Sequence, residues 1–204
     1  MTLIYVMDPM CSWCYAFHPQ LKEMISQLRP GIKVVCYMGG LAPYSDQPMP
    51  SQMQTAIAQT WHSIEQRTGA QFNYEFWQKC QPRRSTYPAC RAVISAEQMT
   101  TGSGMLMTEA IQQAYYQEAQ NPSDVPVLAD LAEKIGLNRE RFIAQMDSEK
   151  TAQTLFDDLS FCQQHGVQGF PFLGVQTDNG LEMISAGYCS REALLQRCAD
   201  LNLI

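Results

Sequence analysis

No stretch of this 204-residue chain approaches the ~18 consecutive apolar residues that a membrane-spanning helix needs, so no membrane partner is expected. Positive charge is thin as well. Fourteen basic against twenty acidic side chains leave a formal net charge of -6, with no basic run or patch, so nucleic acid is not an expected partner. The N-terminus has no charged start, apolar stretch and small-residue cleavage site in series. A secretory leader is therefore not expected, and the expected location is cytoplasmic. Internal repeats and low-complexity segments are missing. Metal-ligand spacing is missing too. One cysteine pair is two residues apart, and neither a second Cys-x-x-Cys nor a paired histidine supplies the remaining ligands of a zinc knuckle, so no metal is expected.

The composition, 46% hydrophobic and 17% charged, is that of a soluble globular protein. The length suits one large domain, or a domain carrying an insertion, with a substantial core. Eight cysteines are present: Cys11, Cys14, Cys36, Cys80, Cys90, Cys162, Cys189 and Cys198. Most lie inside apolar patterns and read as buried small hydrophobes in a reducing compartment. Cys189, just before the last helix, is expected to be the exposed one. Whether Cys80 and Cys90 pair depends on a Cα separation that sequence does not supply.

Leu3-Ile4-Tyr5-Val6-Met7 reads as a buried strand, broken by Asp8-Pro9. A helix follows from Cys11 to about Arg29, with Trp13, Phe17, Leu21, Met24, Ile25 and Leu28 on one face and Pro19 as a kink point. Pro30-Gly31 ends it, and Ile32–Met38 is the next strand. This βαβ unit implies parallel strands joined by a right-handed crossover. From Gly39-Gly40 onward the character becomes helical, over 51–68, 88–99, 105–119, 127–135 and 139–146, with 73–80 aromatic and ambiguous. Ser148 is placed to cap a helix reaching His165. A strand at 172–175, a turn at Thr177-Asp178-Asn179-Gly180, a strand at 181–186 and a helix at 190–201 close the chain. The predicted organisation is α/β. A discontinuous domain of residues 1–44 and 148–204 carries a four-stranded mixed sheet, and residues 45–147 form an inserted all-helical domain.

Cys11-Ser12-Trp13-Cys14 stands where the first strand meets the first helix. A helix N-terminus offers unpaired N–H groups and a positive dipole end, both favouring a thiolate at the first cysteine. Cys11 is therefore the expected nucleophile, forming a mixed disulfide with a substrate. Cys14, one turn further in, is the expected resolving thiol. Ser12 and Trp13, between the sulfurs, are positioned to tune the redox potential. Trp13 is as well suited to packing on the helical insert. Asp8, one turn ahead of Cys11, fits either a capping or turn role or a proton relay for Cys14.

The order of elements, Cys11-Ser12-Trp13-Cys14 and Gly166-Val167-Gln168-Gly169-Phe170-Pro171 together resemble the DsbA-like branch of the thioredoxin fold, which carries a helical insertion after its first βαβ unit. With Asp8-Pro9-Met10 ahead of the cysteines and Tyr87-Pro88-Ala89-Cys90-Arg91-Ala92 in the insert, the chain looks closest to the cytosolic FrnE-like, predicted protein-disulfide isomerase group. The resemblance implies a cis proline at Pro171, with the Phe170 backbone free to pair with an extended substrate. It implies a thiol–disulfide oxidoreductase or disulfide isomerase acting on protein or peptide thiols and disulfides. The redox-active disulfide is the only prosthetic device, with glutathione as a candidate co-substrate and a thioredoxin-type reductant as a candidate partner. The resembled periplasmic oxidant carries a histidine between its cysteines. Ser12-Trp13 brings no such cation, which implies a less oxidising couple. The alternative on the same fold is a glutathione-dependent transferase or isomerase of the kappa-transferase or hydroxychromene-carboxylate-isomerase type, and retention of Cys14 argues against it. A non-enzymatic thiol chaperone or metal-binding module is a third reading.

Overall fold

The computed structural model describes residues 1–204. It divides into two compact units, Met1–Gly39 with Asp158–Ile204, and Gly40–Asp157. Read from the sequence, the boundaries fall at 44/45 and 147/148. The second lies further on in the structure because one long helix, Glu149–Gln164, begins in the helical unit and ends in the other.

The first unit is built on β1 (Thr2–Met7), α1 (Ser12–Ser26) and β2 (Lys33–Met38). β1 runs parallel to β2, with Tyr5 opposite Cys36 and Met7 opposite Met38. Leu3 to Met7 are all buried, as a strand covered on both faces requires. α1 passes unbroken through Pro19 but stops at Ser26, short of the predicted Arg29. The N–H groups of Gln27 and Leu28 turn back to the carbonyls of Met24 and Ile25, and that of Arg29 bonds instead to Leu203 O at 2.9 Å. A chain segment distant in sequence thus takes the bond that would have continued the helix.

The helical unit comprises α2 (Ser51–Thr68), the single turn α3 (Phe76–Lys79), α4 (Tyr87–Met99), α5 (Ser103–Tyr116), α6 (Val125–Lys134) and α7 (Arg139–Asp147). Trp61, almost fully buried, has the rings of Phe72, Phe76, Trp77, Tyr115 and Tyr116 within 6.0 Å between centroids. That aromatic core explains why 73–80 shows no periodicity: its rings converge on one tryptophan instead of lining a face. α5 ends at Tyr116 because Ala119 adopts a left-handed conformation (φ 53°) and Gln120 N–H returns to Ala114 O. α8 (Glu149–Gln164) is capped by Ser148, whose Oγ accepts from Thr151 N–H at 3.1 Å.

β3 (Phe172–Thr177) and β4 (Gly180–Ala186) form an antiparallel hairpin, and β3 pairs antiparallel with β1. The sheet order is β2-β1-β3-β4. On one face Ile4, Val6 and Phe172 pack with Cys162, and Val35, Tyr37, Phe161 and Leu181 extend that core. α9 (Arg191–Asp200) closes the unit, its first turn capped by Ser190 Oγ accepting from Ala193 N–H. No helix of the chain is long and apolar enough to cross a membrane.

Candidate active site

β1 ends at Met7, and the next three residues turn the chain into α1. The Asp8 carboxylate accepts from Met10 N–H at 2.8 Å and the Asp8 carbonyl from Cys11 N–H at 3.0 Å. Asp8 is fully buried. Cys11 stands at the N-cap of α1 with extended backbone, and no side-chain oxygen caps that helix. The backbone N–H groups of Cys14 and Trp13, in the first turn, favour the charged form of the Cys11 sulfur.

The two cysteines are pulled in opposite directions. The S–H of Cys14 donates to the Cys11 sulfur and, with the N–H groups of Cys14 and Trp13, lowers the Cys11 thiol below its ordinary value against burial and the nearby Asp8 charge. Burial raises the Cys14 thiol well above its ordinary value, reinforced by the hydrogen bond it donates to Cys11 and by the charge there. Cys11 keeps 7% exposure and Cys14 none. No disulfide joins them. The fully buried Tyr5 hydroxyl has no hydrogen-bond partner of full geometry, and burial with the neighbouring Cys14 raises it well above its ordinary value.

The loop before β3 supplies the other wall. The Phe170–Pro171 peptide bond is cis. The Phe170 carbonyl lies 3.7 Å from Cys11 Sγ and accepts its S–H. Pro171 O accepts from Gly187 N–H at 2.7 Å, which ties the segment leading into α9 to the same place. That segment carries Tyr188. The Trp13 ring lies 5.6 Å from the Tyr188 ring, and Tyr188 meets Phe17 edge-on. The ring packing of Trp13 is thus on Tyr188, which the Cys-x-x-Cys reading does not single out. Ser12, beside it, is half-buried. Beyond Phe170 an open groove of about 500 Å³ is lined by Val167, Phe170, Phe172, Leu181 and Met183.

The site therefore brings together Asp8, Cys11, Cys14 and Phe170-Pro171, and adds Tyr5 and Tyr188. The other cysteines stand apart in character. Cys90 is fully buried, and the half-buried Cys80 donates to Ala119 O at 3.1 Å. Burial pushes Cys162 and Cys198 up to about 11. Cys189 is buried rather than exposed, because its segment is drawn inward and Gln20 donates to its carbonyl. No three His, Cys, Asp or Glu side chains are grouped as a metal site requires.

The arrangement matches known proteins over most of its length. The profile of the DSBA-like thioredoxin domain matches residues 2–194. The ClpXP adapter protein SpxH of Bacillus subtilis is 24% identical over 171 residues, covering 81% of this chain and 55% of its own. The chain thus spans about half the length of the curated relatives it matches. Among solved structures, a candidate protein disulfide isomerase from Nitrosomonas europaea superposes with a TM-score of 0.89 at 28% identity, over 98% of this chain and 97% of that one. The cytosolic disulfide reductase DsbM from Pseudomonas aeruginosa, solved also with GSH, superposes with a TM-score of 0.81 at 25% identity over 100% of both chains.

Proposed function

The chain belongs to the family of DSBA-like thioredoxin domains, and from that premise we propose that it is a thiol–disulfide oxidoreductase working through Cys11 and Cys14. What carries this reading is the placement of the two thiols: Cys11 stands at the start of α1 with slight exposure and is lowered, and Cys14, one turn further in, is fully buried and raised. A nucleophile has to be a thiolate, and a resolving thiol has to wait protonated until the mixed disulfide exists.

The cycle runs as follows. Cys11 thiolate attacks one sulfur of a protein or peptide disulfide. A bond forms between Cys11 and that sulfur, the substrate S–S bond breaks, and the other substrate sulfur leaves as a thiolate that takes up a proton. Formation of the mixed disulfide removes the charge on Cys11 that held Cys14 protonated. Cys14 then loses its proton, attacks the Cys11 sulfur and releases the second substrate thiol. The substrate gains two electrons, and Cys11–Cys14 becomes a disulfide. A dithiol reductant or two glutathione molecules return it to the thiols. The reverse sequence oxidises a substrate, and release from the mixed disulfide onto another substrate thiol isomerises it. Phe170 and Pro171 are proposed to position the substrate. The Phe170 carbonyl faces Cys11, and the groove beside it, of mixed polar and apolar lining, suits an extended chain. Ser12 and Trp13 are proposed to tune the couple. Without a cation between the cysteines, it leans toward reduction or isomerisation. The likeness to a cytosolic reductase also solved with GSH supports that direction, a cytoplasmic setting and glutathione as co-substrate.

The test is the redox equilibrium of the pair in graded glutathione buffers, with thiols trapped and counted by mass and Cys14→Ser as control. A two-electron transition lost in Cys14→Ser is expected. A midpoint near about -270 mV assigns a reductant, and one near about -120 to -180 mV an isomerase or oxidant. A pair that never oxidises, in a Cys14→Ser protein that still joins glutathione to an electrophile, would replace this reading with the transferase one.

A further inference from the structure

The end of β2 has no role in the cycle above, yet it touches the residue that faces Cys11. Gly39 is buried immediately after β2. A methyl group there would fall inside the Phe170 ring, 2.7 Å from Cδ1 and nearer still to Cε1 and Cζ. Gly39 carries no left-handed φ, so its backbone does not demand glycine. Space for the ring does. The backbone under the ring is held on both sides: Gly39 N–H donates to Met7 O at 2.6 Å, and Met38 N–H donates to the buried Asp158 carboxylate at 2.9 Å. The ring therefore rests on a fixed surface, while its own residue presents a carbonyl 3.7 Å from Cys11 Sγ.

We infer that Gly39 is a positioning residue of the site: its missing side chain is the seat of the Phe170 ring, and the seated ring holds the Phe170 carbonyl against the Cys11 sulfur. The inference rests on the proposed role of Cys11 as nucleophile. An acceptor at that place stabilises the thiol and opposes the thiolate. It therefore offsets part of what Cys14 and the helix N-terminus do. The same carbonyl is the one proposed to pair with an extended substrate, so the seat governs both the thiolate fraction of Cys11 and the alignment of the disulfide it attacks. A free Cys11 thiol occupies the acceptor that substrate backbone would use. Pairing with substrate then takes that acceptor away from the thiol as the disulfide arrives.

The test is a four-protein cycle on the full chain: the parent, Gly39→Ala, Phe170→Ala and the double variant, each reduced. The rate of Cys11 carboxamidomethylation by iodoacetamide is followed against pH by mass. Gly39→Ala is expected to lower the Cys11 midpoint by about half a unit, which is about threefold more thiolate below the midpoint. Phe170→Ala should do the same, and the double variant should equal either single. On a peptide disulfide, Gly39→Ala should raise KM more than it lowers kcat. An unchanged midpoint in Gly39→Ala, or two shifts that add in the double variant, overturns the inference. Folding is read by circular dichroism. If Gly39→Ala unfolds and the double variant folds, the seat is supported; if both unfold, Gly39 serves β2 rather than the ring and the inference fails. The alkylation profile needs no turnover. A profile that shifts as expected in a chain lacking the two-electron transition would keep the seat and sink the oxidoreductase reading.

Discussion

A buried carboxylate stands one turn ahead of the thiol that the proposed cycle ionises, and the two charges oppose each other. The Asp8 charge raises both Cys11 and Cys14, while a hydrogen bond to the Asp8 backbone lowers Cys14, so Cys11 is lowered in spite of that charge. The contact that accounts for Asp8 is local: its Oδ1 closes the Met10 turn that delivers Cys11 to the helix start. Asp8→Asn keeps that acceptor and removes the charge. The Cys11 midpoint should fall further, so that alkylation at pH 6 becomes several-fold faster while the fold is retained. The turn contact favours the structural role, and closure of a Cys11–glutathione mixed disulfide by Cys14 should then keep its rate. A tenfold slowing of that closure would assign Asp8 the proton relay instead. For the proposed cycle the residue scale comes down to which neighbours each sulfur has. Cys11 has two N–H groups and an S–H set against the Phe170 carbonyl, and Cys14 has burial and a neighbouring charge.

The elements that could be read from the sequence are those whose signals are contiguous. Leu3–Met7 is an unbroken apolar run, Pro30-Gly31 marks the end of α1 to within about a turn, and Cys11 to Cys14 sit where strand meets helix. The loop before β3 is legible only through the family resemblance that residues 166–171 carry, not from a local signal. What no local pattern carries is the set of contacts that finishes the site. Phe170 on Gly39, Tyr188 against Trp13, and Asp158 on Met38 N–H each join residues far apart in the chain. The absence of any β-carbon at Gly39 reads in sequence as a loop signal, and only the fold turns it into a seat. α9 shows how an element supports the site without entering it. Its Ser190 cap follows the segment that Gly187 ties to Pro171 O and that carries Tyr188 to Trp13. Ser190→Ala is expected to cost about 1 kcal/mol of stability in urea unfolding, as losing a serine N-cap usually does. The Cys11 alkylation profile should stay put, since the cap touches neither sulfur. A shifted profile in Ser190→Ala would mean that α9 sets the position of Tyr188, and through it Trp13.

At the scale of the whole chain, the buried thiols make stability depend on pH in one direction. Cys162 and Cys198 are pushed up to about 11 from an ordinary 9.0, and Cys14 is raised as well, chiefly by burial. Each belongs to the unit that carries the site. Below about 9 these thiols are protonated in both folded and unfolded chains, and what they contribute to folding is intact. Between about 9 and about 11 the unfolded chain ionises while the folded one holds its protons, so the unfolded state gains and stability falls as pH rises. Cys11 works in the opposite sense. Its folded thiol ionises first, so its contribution is present above the ordinary value and is lost as pH falls through the lowered one. Cys80 is raised as well, and one lowered thiol does not offset four raised ones. The reduced protein should therefore gain slightly in Tm as pH rises toward about 9, where Cys11 is ionised in the folded chain, and lose stability steadily from there toward 11, with net repulsion in an already acidic chain adding to the fall. Thermal unfolding across that range in reductant measures it. Cys162→Ala and Cys198→Ala will each lower Tm at neutral pH by loss of packing, but each should flatten the alkaline slope, because one titrating thiol has gone. If both variants descend in parallel with the parent, the alkaline loss comes from elsewhere, and the raised tyrosines, Tyr5 beneath the cysteine pair first among them, become its source.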